Sequence, residues 1–144
     1  VFTLPNSNFC SYAAPFRGSI HLNFRMKTIL IRNRTFTFNI DGHGTLKFDH
    51  GIWYFGEVKH NMEEGSGIRT FPNGDVYVGD FKDGKYDGRG RFFFFNGDEY
   101  VGEYKNGKED GNGKFLFSDG AEYEGVFKDG MRDGSGVFTL PNSK

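Results

Sequence analysis

The chain is poor in cysteine, in long apolar runs and in excess charge of either sign. Its single cysteine, Cys10, excludes an internal disulfide framework and a cysteine-based zinc site. No apolar run approaches the ~18 residues that a membrane-spanning helix requires, so the sequence does not predict a transmembrane protein. The formal net charge is only -1, and we therefore do not expect a nucleic-acid partner.

The charge is nevertheless unevenly distributed. Residues 1–53 carry six basic and two acidic groups, a net charge of +4, whereas residues 54–144 carry twelve and seventeen, a net charge of -5. Either the two parts have differently composed solvated surfaces, or the basic part contacts the acidic part or an anionic partner. Polar residues and prolines interrupt residues 1–18, so no secretory signal is expected. Because the chain begins at Val1, we expect a piece of a longer cytoplasmic protein.

Glycine and aromatic residues are abundant, and they recur with a fixed period of 23 residues. Counting each copy from its tyrosine as position 1, glycine stands at positions 3, 12 and 14, and lysine stands at position 6. The tyrosines that open the copies are Tyr54, Tyr77, Tyr100 and Tyr123. Self-similarity at such a period is the signature of a repeat architecture built from one supersecondary unit.

The periodicity divides the chain into three parts. Residues 54–144 form four tandem copies, the last incomplete, and residues 42–53 match the second half of one more copy. Residues 1–41 match poorly, and we expect this divergent N-terminal segment to form extra strands or a cap. Residues 1–7 and 137–143 share the sequence VFTLPNS, which suggests that the chain also begins with the closing strand of a copy.

Each copy has the pattern of a β-hairpin. In the second copy we predict strands at 77–82 and 90–95, joined through a tight turn at Asp83-Gly84, with a second turn at Asn96-Gly97. Glycine readily supplies the positive φ that such turns need. Glycine also recurs too often for a stable helix. The predicted fold is all-β: an elongated, single-layer, twisted antiparallel sheet of stacked hairpins.

Strand alternation predicts two different faces for this sheet. One face carries a row of aromatic rings, and the opposite face carries a second apolar patch that includes Phe55, Val78 and Phe93. Because a single-layer sheet cannot bury both faces by itself, we expect residues 16–38 or a partner chain to cover the second patch. The rings of the first face either pack only on one another or line a groove that accepts a ligand.

The pattern Tyr-x-Gly-x-Phe-Lys-x-Gly-Lys-x-x-Gly-x-Gly-x-Phe-x-Phe, which spans residues 77–94, resembles the MORN repeat (membrane occupation and recognition nexus). The fourth copy departs from the pattern at Val126, and the first departs at Val58 and Asn61. The resemblance implies a grooved β-sheet that serves as a scaffold in cytoskeletal, ciliary or membrane-junction proteins. It also implies a second context, in which such repeats regulate a larger enzyme such as a lipid kinase or a lysine methyltransferase.

The sequence does not predict an enzyme. Catalysis needs converging groups of different kinds, whereas the four histidines are scattered. An acidic residue recurs at position 11 of each copy, at Glu64, Asp87, Asp110 and Asp133. We interpret it as a turn residue that caps its own backbone and not as an acid–base catalyst. We expect no metal and no cofactor.

We therefore expect a non-catalytic scaffold that binds a protein segment, either a peptide or an amphipathic helix, along the aromatic groove. The expected localisation is cytoplasmic, in a cytoskeletal or ciliary assembly. The candidate partner-binding residues are Trp53, Tyr54, Tyr77, Phe81, Phe94, Tyr100, Tyr104, Phe117, Tyr123 and Phe127.

Two other partners remain open. A lipid-surface module would use lysines such as Lys82, Lys85, Lys105, Lys108 and Lys128 to contact anionic headgroups. Close acidic neighbours such as Asp83 and Glu109 oppose that attraction, so lipid binding ranks second and is expected to be weak. The ends of the array are also expected to support homo-oligomerisation, because an uncovered edge strand is a template for pairing.

Overall fold

The computed structural model describes residues 18–23, 26–31, 34–39 and 43–141, and the side chains of residues 44–141. The described residues form twelve β-strands, with a 3-10 turn at Asp49–Gly51. No α-helix occurs among these residues, which agrees with the frequency of glycine in every copy. The all-β prediction is confirmed.

Three strands lie within the divergent N-terminal segment. Strands β1 (Gly18–Asn23), β2 (Met26–Ile31) and β3 (Arg34–Asn39) form an antiparallel sheet in the order β1-β2-β3. The duplicated sequence VFTLPNS at residues 1–7 lies outside the described residues. Our interpretation of it therefore stays a prediction.

The repeats form one open sheet of nine strands. All neighbours are antiparallel and follow the order of the chain, from β4 at one edge to β12 at the other. The strands are β4 (His43–Lys47), β5 (Trp53–Lys59), β6 (Met62–Thr70), β7 (Val76–Lys82), β8 (Lys85–Phe93), β9 (Glu99–Lys105), β10 (Lys108–Leu116), β11 (Glu122–Lys128) and β12 (Met131–Thr139).

The hairpin of the second copy corrects one predicted boundary. The turn at Asp83-Gly84 is as predicted, with φ of +49° and +80°, the combination that two-residue hairpin turns favour. The second strand, however, begins at Lys85 and ends at Phe93, so the predicted bounds 90–95 are wrong. The early start is possible because the ladder shifts register between Gly79 and Phe81, and this bulge lets Tyr86 pair opposite Phe81 before the glycines meet.

The tyrosine that opens each copy fills the space left by two glycines. Gly79 and Gly90 lie opposite each other on β7 and β8, and the ring of Tyr77 lies across them. A Cβ atom added at Gly90 would lie 2.5 Å from Cζ of Tyr77, closer than any real side chain could remain. The Tyr77 hydroxyl also donates a hydrogen bond to the carbonyl oxygen of Asp80 at 2.8 Å. Glycine is therefore required here by the close approach of a ring.

The second face of the sheet is buried only over its first half. Phe55, Ile68, Val78 and Phe93 are buried, whereas Val137 is 66% exposed. The prediction that residues 16–38 cover this face concerns side chains outside the described part of the chain, so it stays a prediction.

Candidate functional site

Seven aromatic rings form a continuous buried row along the first face, which we call the ring chain. Tyrosines at position 1 alternate with rings at position 5 of neighbouring copies, and each consecutive pair meets edge to face at 5.0 to 5.6 Å between centroids. Such edge-to-face pairs add stability beyond the area they bury. In order, the rings are Tyr54, Phe81, Tyr77, Tyr104, Tyr100, Phe127 and Tyr123, and all are buried.

Beside the ring chain runs a second row that remains open to solvent, which we call the phenylalanine stripe. Its members come from positions 16 and 18 of successive copies, and neighbouring centroids lie 4.6 to 6.0 Å apart. The first five rings are half-buried, and the last, Phe138, is 52% exposed. In order along the sheet, the stripe consists of Phe71, Phe92, Phe94, Phe115, Phe117 and Phe138.

The structure thus separates the predicted site residues into three groups. Seven of the ten form the ring chain and are buried. Phe94 and Phe117 belong to the stripe. Trp53 is half-buried and lies on the opposite face of β5 from Tyr54, because successive side chains of a strand alternate, and its ring is 5.3 Å from the Lys47 ammonium.

Sequence reasoning missed four members of the stripe, namely Phe71, Phe92, Phe115 and Phe138. The signal was present, because positions 16 and 18 are apolar or aromatic in nearly every copy. What the pattern could not distinguish is a ring that is buried in the sheet from one that lies on its surface.

In the first copy, an arginine takes the place of the stripe phenylalanine. The guanidinium of Arg69, at position 16, forms a salt bridge with the buried carboxylate of Glu63. It also lies 5.3 to 5.6 Å from the ring centroids of Phe48, Phe81 and Tyr86, within the range of cation–π attraction. Burial raises the pKa of Tyr86 to about 12, against the opposing effect of this guanidinium.

The third copy has the carboxylate without the arginine. Glu109 occupies the position of Glu63, but Phe115 stands where the first copy has Arg69. Among the described residues, Glu109 forms no salt bridge. Tyr104 pairs opposite Glu109 across the hairpin, and its buried hydroxyl has no hydrogen-bond partner in the described part of the chain. Burial, followed by the negative charge of Glu109, raises the pKa of Tyr104.

The recurrent acids at position 11 connect neighbouring copies, which corrects our interpretation. Glu64 accepts a hydrogen bond from the backbone N–H of Asp83, 19 residues further on, at 3.0 Å. Asp87 and Asp110 make the equivalent contacts at 3.3 and 3.4 Å, with Asn106 and Asp129. Each carboxylate therefore caps the turn of the following hairpin and not its own, because the sheet places the two side by side. Their role is structural, as predicted, but it acts between repeats.

The lysines of the hairpin tips lie along one edge of the sheet. Lys59, Lys82, Lys105 and Lys128, at position 6 of each copy, are all exposed. Lys128 forms a salt bridge of 3.3 Å with Asp110, so the acid of the preceding copy partly neutralises this edge.

The described residues contain neither a metal-binding cluster nor a membrane-spanning helix. Within the described ranges, no three His, Cys, Asp or Glu side chains are grouped so as to hold a metal ion. The same part of the chain contains no helix of the length and hydropathy needed to cross a membrane.

A comparison with curated proteins returned no match. Among solved structures, a similar chain is the SAS-4 (dCPAP) TCP domain in complex with a proline-rich motif of Ana2 (dSTIL) from Drosophila melanogaster. It is 16% identical, the match covers 100% of this chain and 93% of that chain, and the TM-score is 0.47. At that level the likeness supports no inference about function.

The family model of the MORN repeat matches residues 54–76, 77–99, 100–122 and 123–144. These are the four copies that the tyrosine period defines, and together they make up more than half of the chain. MORN repeats point to a repeat-built interaction module, in keeping with an open sheet that presents a row of aromatic rings. The chain belongs to the MORN repeat family.

Proposed function

We propose that this chain is a non-catalytic interaction scaffold that binds a segment of another protein along the phenylalanine stripe. The observation that carries the proposal is the continuity of the stripe, in which six partly exposed rings from four successive copies contact one another. Contiguous exposed apolar surface of this kind marks interaction sites on soluble proteins.

The ring chain gives the stripe a rigid base. Phe92, Phe94 and Phe115 pack against the buried tyrosines and phenylalanines, so their positions are set before a partner arrives. Binding to a preorganised surface avoids the entropic cost of ordering side chains. In this proposal Phe94 and Phe117 contact the partner directly. The seven buried rings of the ring chain do not touch the partner and hold the stripe in position.

A displayed random-peptide library selected against the full chain tests the proposal. Peptides that bind wild type are expected to lose about tenfold or more in affinity for Phe117→Ala, because truncating a central aromatic contact costs about 2 kcal/mol. Phe95→Ala is the matched control, since Phe95 is 69% exposed but lies outside the stripe. Equal loss with both variants, or no loss with either, would remove the stripe from the interaction.

The cellular setting that we propose is a cytoskeletal or ciliary assembly in the cytoplasm. The family resemblance supports this part of the proposal. Fluorescence microscopy of the full-length protein beside a tubulin stain tests it, and a uniform distribution that excludes cilia and microtubules would contradict it.

A second candidate function is weak tethering to anionic lipid through the exposed lysines of the hairpin tips. Each lysine near such a surface contributes about 1 kcal/mol, and interleaved carboxylates such as Asp110 reduce the sum. Sedimentation with phosphatidylserine vesicles tests this candidate. Strong pelleting at physiological salt that Lys82→Glu with Lys105→Glu abolishes would place it above peptide binding.

A second copy of the chain is the partner that we propose for the sheet edge at β12. Met131, Val137 and Phe138 are exposed along this strand, and an open edge strand can pair with another. Sedimentation velocity over a range of concentrations tests this, and a monomer at every concentration would refute self-association.

A further inference from the structure

On the first face, the carboxylate of Glu109 has no cation from its own copy among the described residues. In the first copy, Glu63 and Arg69 are six residues apart on β6, and they form a salt bridge. Glu109 and Phe115 have the same separation on β10, but a phenylalanine cannot neutralise a carboxylate. The third copy therefore keeps the carboxylate at position 10 but lacks the cation that position 16 supplies in the first copy.

The rings around Arg69 can be compared with the residues at the same repeat positions near Glu109. A shift of 46 residues, two repeats, carries Phe48 to Phe94 and Phe81 to Phe127. Both are aromatic, so two of the three rings that face the Arg69 guanidinium in the first copy have aromatic counterparts two repeats further on. Phe94 and Phe115 are half-buried, as is Glu109, so an incoming group can reach all three.

Two further residues affect what the Glu109 carboxylate can bind. One is the buried hydroxyl of Tyr104, which has no hydrogen-bond partner among the described residues and which can donate or accept. The other is Arg132, which stands two repeats after Tyr86. Its guanidinium lies 5.1 Å from the ring centroid of Tyr123 and forms no salt bridge with Glu109 within the described ranges. The carboxylate thus retains its capacity to accept a charged donor.

We propose that Glu109, together with Phe94 and Phe115 of the stripe, receives an arginine or lysine side chain of the partner and so selects segments in which a basic residue stands among apolar ones. This inference rests on the proposed function, because it names the chemistry of the segment that lies along the phenylalanine stripe. A guanidinium there pairs with the carboxylate and lies against aromatic faces, as Arg69 does in the first copy. Phe117 and Phe138 continue the stripe and receive the apolar neighbours of that residue.

The test uses the displayed random-peptide library on the full chain. Wild type is expected to enrich peptides that carry arginine or lysine beside apolar residues. A synthetic peptide of this kind is expected to bind Glu109→Gln about tenfold more weakly than it binds wild type, because a hydrogen bond to a charged group is lost. Glu124→Gln is the matched control: it removes the same charge from an exposed glutamate on the opposite face, and it is expected to leave the affinity unchanged.

A peptide in which glutamine replaces the basic residue completes a double-mutant cycle with Glu109→Gln. If the two changes together weaken binding no more than either alone, the two residues interact. Arg132→Gln is expected to leave binding equal or tighter, since it removes a competing cation.

The outcomes separate the two proposals. Enriched peptides that depend on Phe117 but carry no basic residue, or that bind Glu109→Gln as well as wild type, would overturn the assignment of Glu109 and leave the stripe intact. Failure to enrich any peptide that depends on Phe117 would overturn the proposed function, and this inference with it. Equal melting temperatures of wild type and Glu109→Gln establish that a loss of binding is not a loss of folding.

Discussion

The ring of Tyr77 lies in the space that a side chain at Gly90 would occupy. A Cβ at Gly90 would approach Cζ of this ring to 2.5 Å, while the Tyr77 hydroxyl donates to the carbonyl oxygen of Asp80 at 2.8 Å. The same exclusion recurs between Tyr100 and Gly113. The repeat therefore pairs its tyrosine with its glycines because one fills the volume that the other vacates.

Gly90→Ala is expected to lower the free energy of unfolding by about 1–3 kcal/mol, the cost of forcing extra volume into a packed site. Urea denaturation checks it. The double variant with Tyr77→Phe should lose less than the sum of the single losses, since both changes act on one volume. Full additivity would show that the ring and the glycine do not share this space.

Val126→Asp is expected to stabilise the fourth copy. Asp80 and Glu103, at the same position 4, accept hydrogen bonds from the backbone N–H groups of Arg89 and Asn112 at 3.0 and 2.5 Å. Valine cannot accept one, so an aspartate should add about 0.5–1.5 kcal/mol to the free energy of unfolding and slow hydrogen exchange at the Ser135 amide. The reverse change, Asp80→Ala, should destabilise by a similar amount. A neutral result in both variants would contradict the assigned role of position 4.

Arg69→Met is expected to cost about 3 kcal/mol, because it leaves the Glu63 carboxylate buried without its cation. The Glu63 side chain is only 3% exposed, so in the folded chain its charge depends on this guanidinium. Replacing both residues by methionine should recover most of the loss, as apolar groups can fill the site. Guanidinium chloride titration of the three chains checks this, and a double variant no more stable than Arg69→Met would point to a different cause.

The fold is expected to lose stability at alkaline pH. Burial raises the pKa of Tyr86 from 10.0 to about 12, and burial also raises the pKa values of Tyr54, Tyr77, Tyr100 and Tyr104. The unfolded chain therefore releases these protons first. The stability that the neutral phenol of Tyr86 contributes is complete below pH 10 and is lost as the pH rises towards about 12.

Denaturant titrations at about pH 9 and about pH 11 check the alkaline prediction. The free energy of unfolding should be lower at the higher pH, and Tyr86→Phe should weaken this dependence. The difference in tyrosinate absorbance between wild type and Tyr86→Phe reports the Tyr86 phenol, and ionisation of that phenol near pH 10 while the circular dichroism of the sheet persists would contradict its burial.

The architecture could be predicted from sequence because the two strands of a hairpin are neighbours in the sequence. The period from Tyr54 to Tyr123, the turn at Asp83-Gly84 and strand alternation decide which residues pair and which share a face. The start of β8 was missed because the bulge beside Gly79 depends on how two strands meet. The contact from Glu64 to Asp83 was missed for a related reason, since it joins residues that become neighbours only in the assembled sheet.

The candidate site was only partly predictable. Tyr77 and Phe94 are both aromatic residues assigned to one face, yet the first is buried and the second half-buried. Their exposure depends on the packing of three neighbouring copies, which spacing along one strand does not contain. For the same reason the absence of a cation beside Glu109 becomes visible only when the contact between Glu63 and Arg69 is known.

In our proposal, the stripe binds a partner while the buried rings maintain the sheet. Phe93 and Phe94 are adjacent but lie on opposite faces, with Phe93 buried and Phe94 in the stripe. The most direct measurement therefore compares Phe93→Ala with Phe94→Ala, both in peptide affinity and in the free energy of unfolding. We predict that Phe93→Ala loses about 3–5 kcal/mol of stability and keeps its affinity where folded, whereas Phe94→Ala loses about tenfold in affinity with a smaller loss of stability. Equal destabilisation by both, with unchanged affinity in both, would contradict the account.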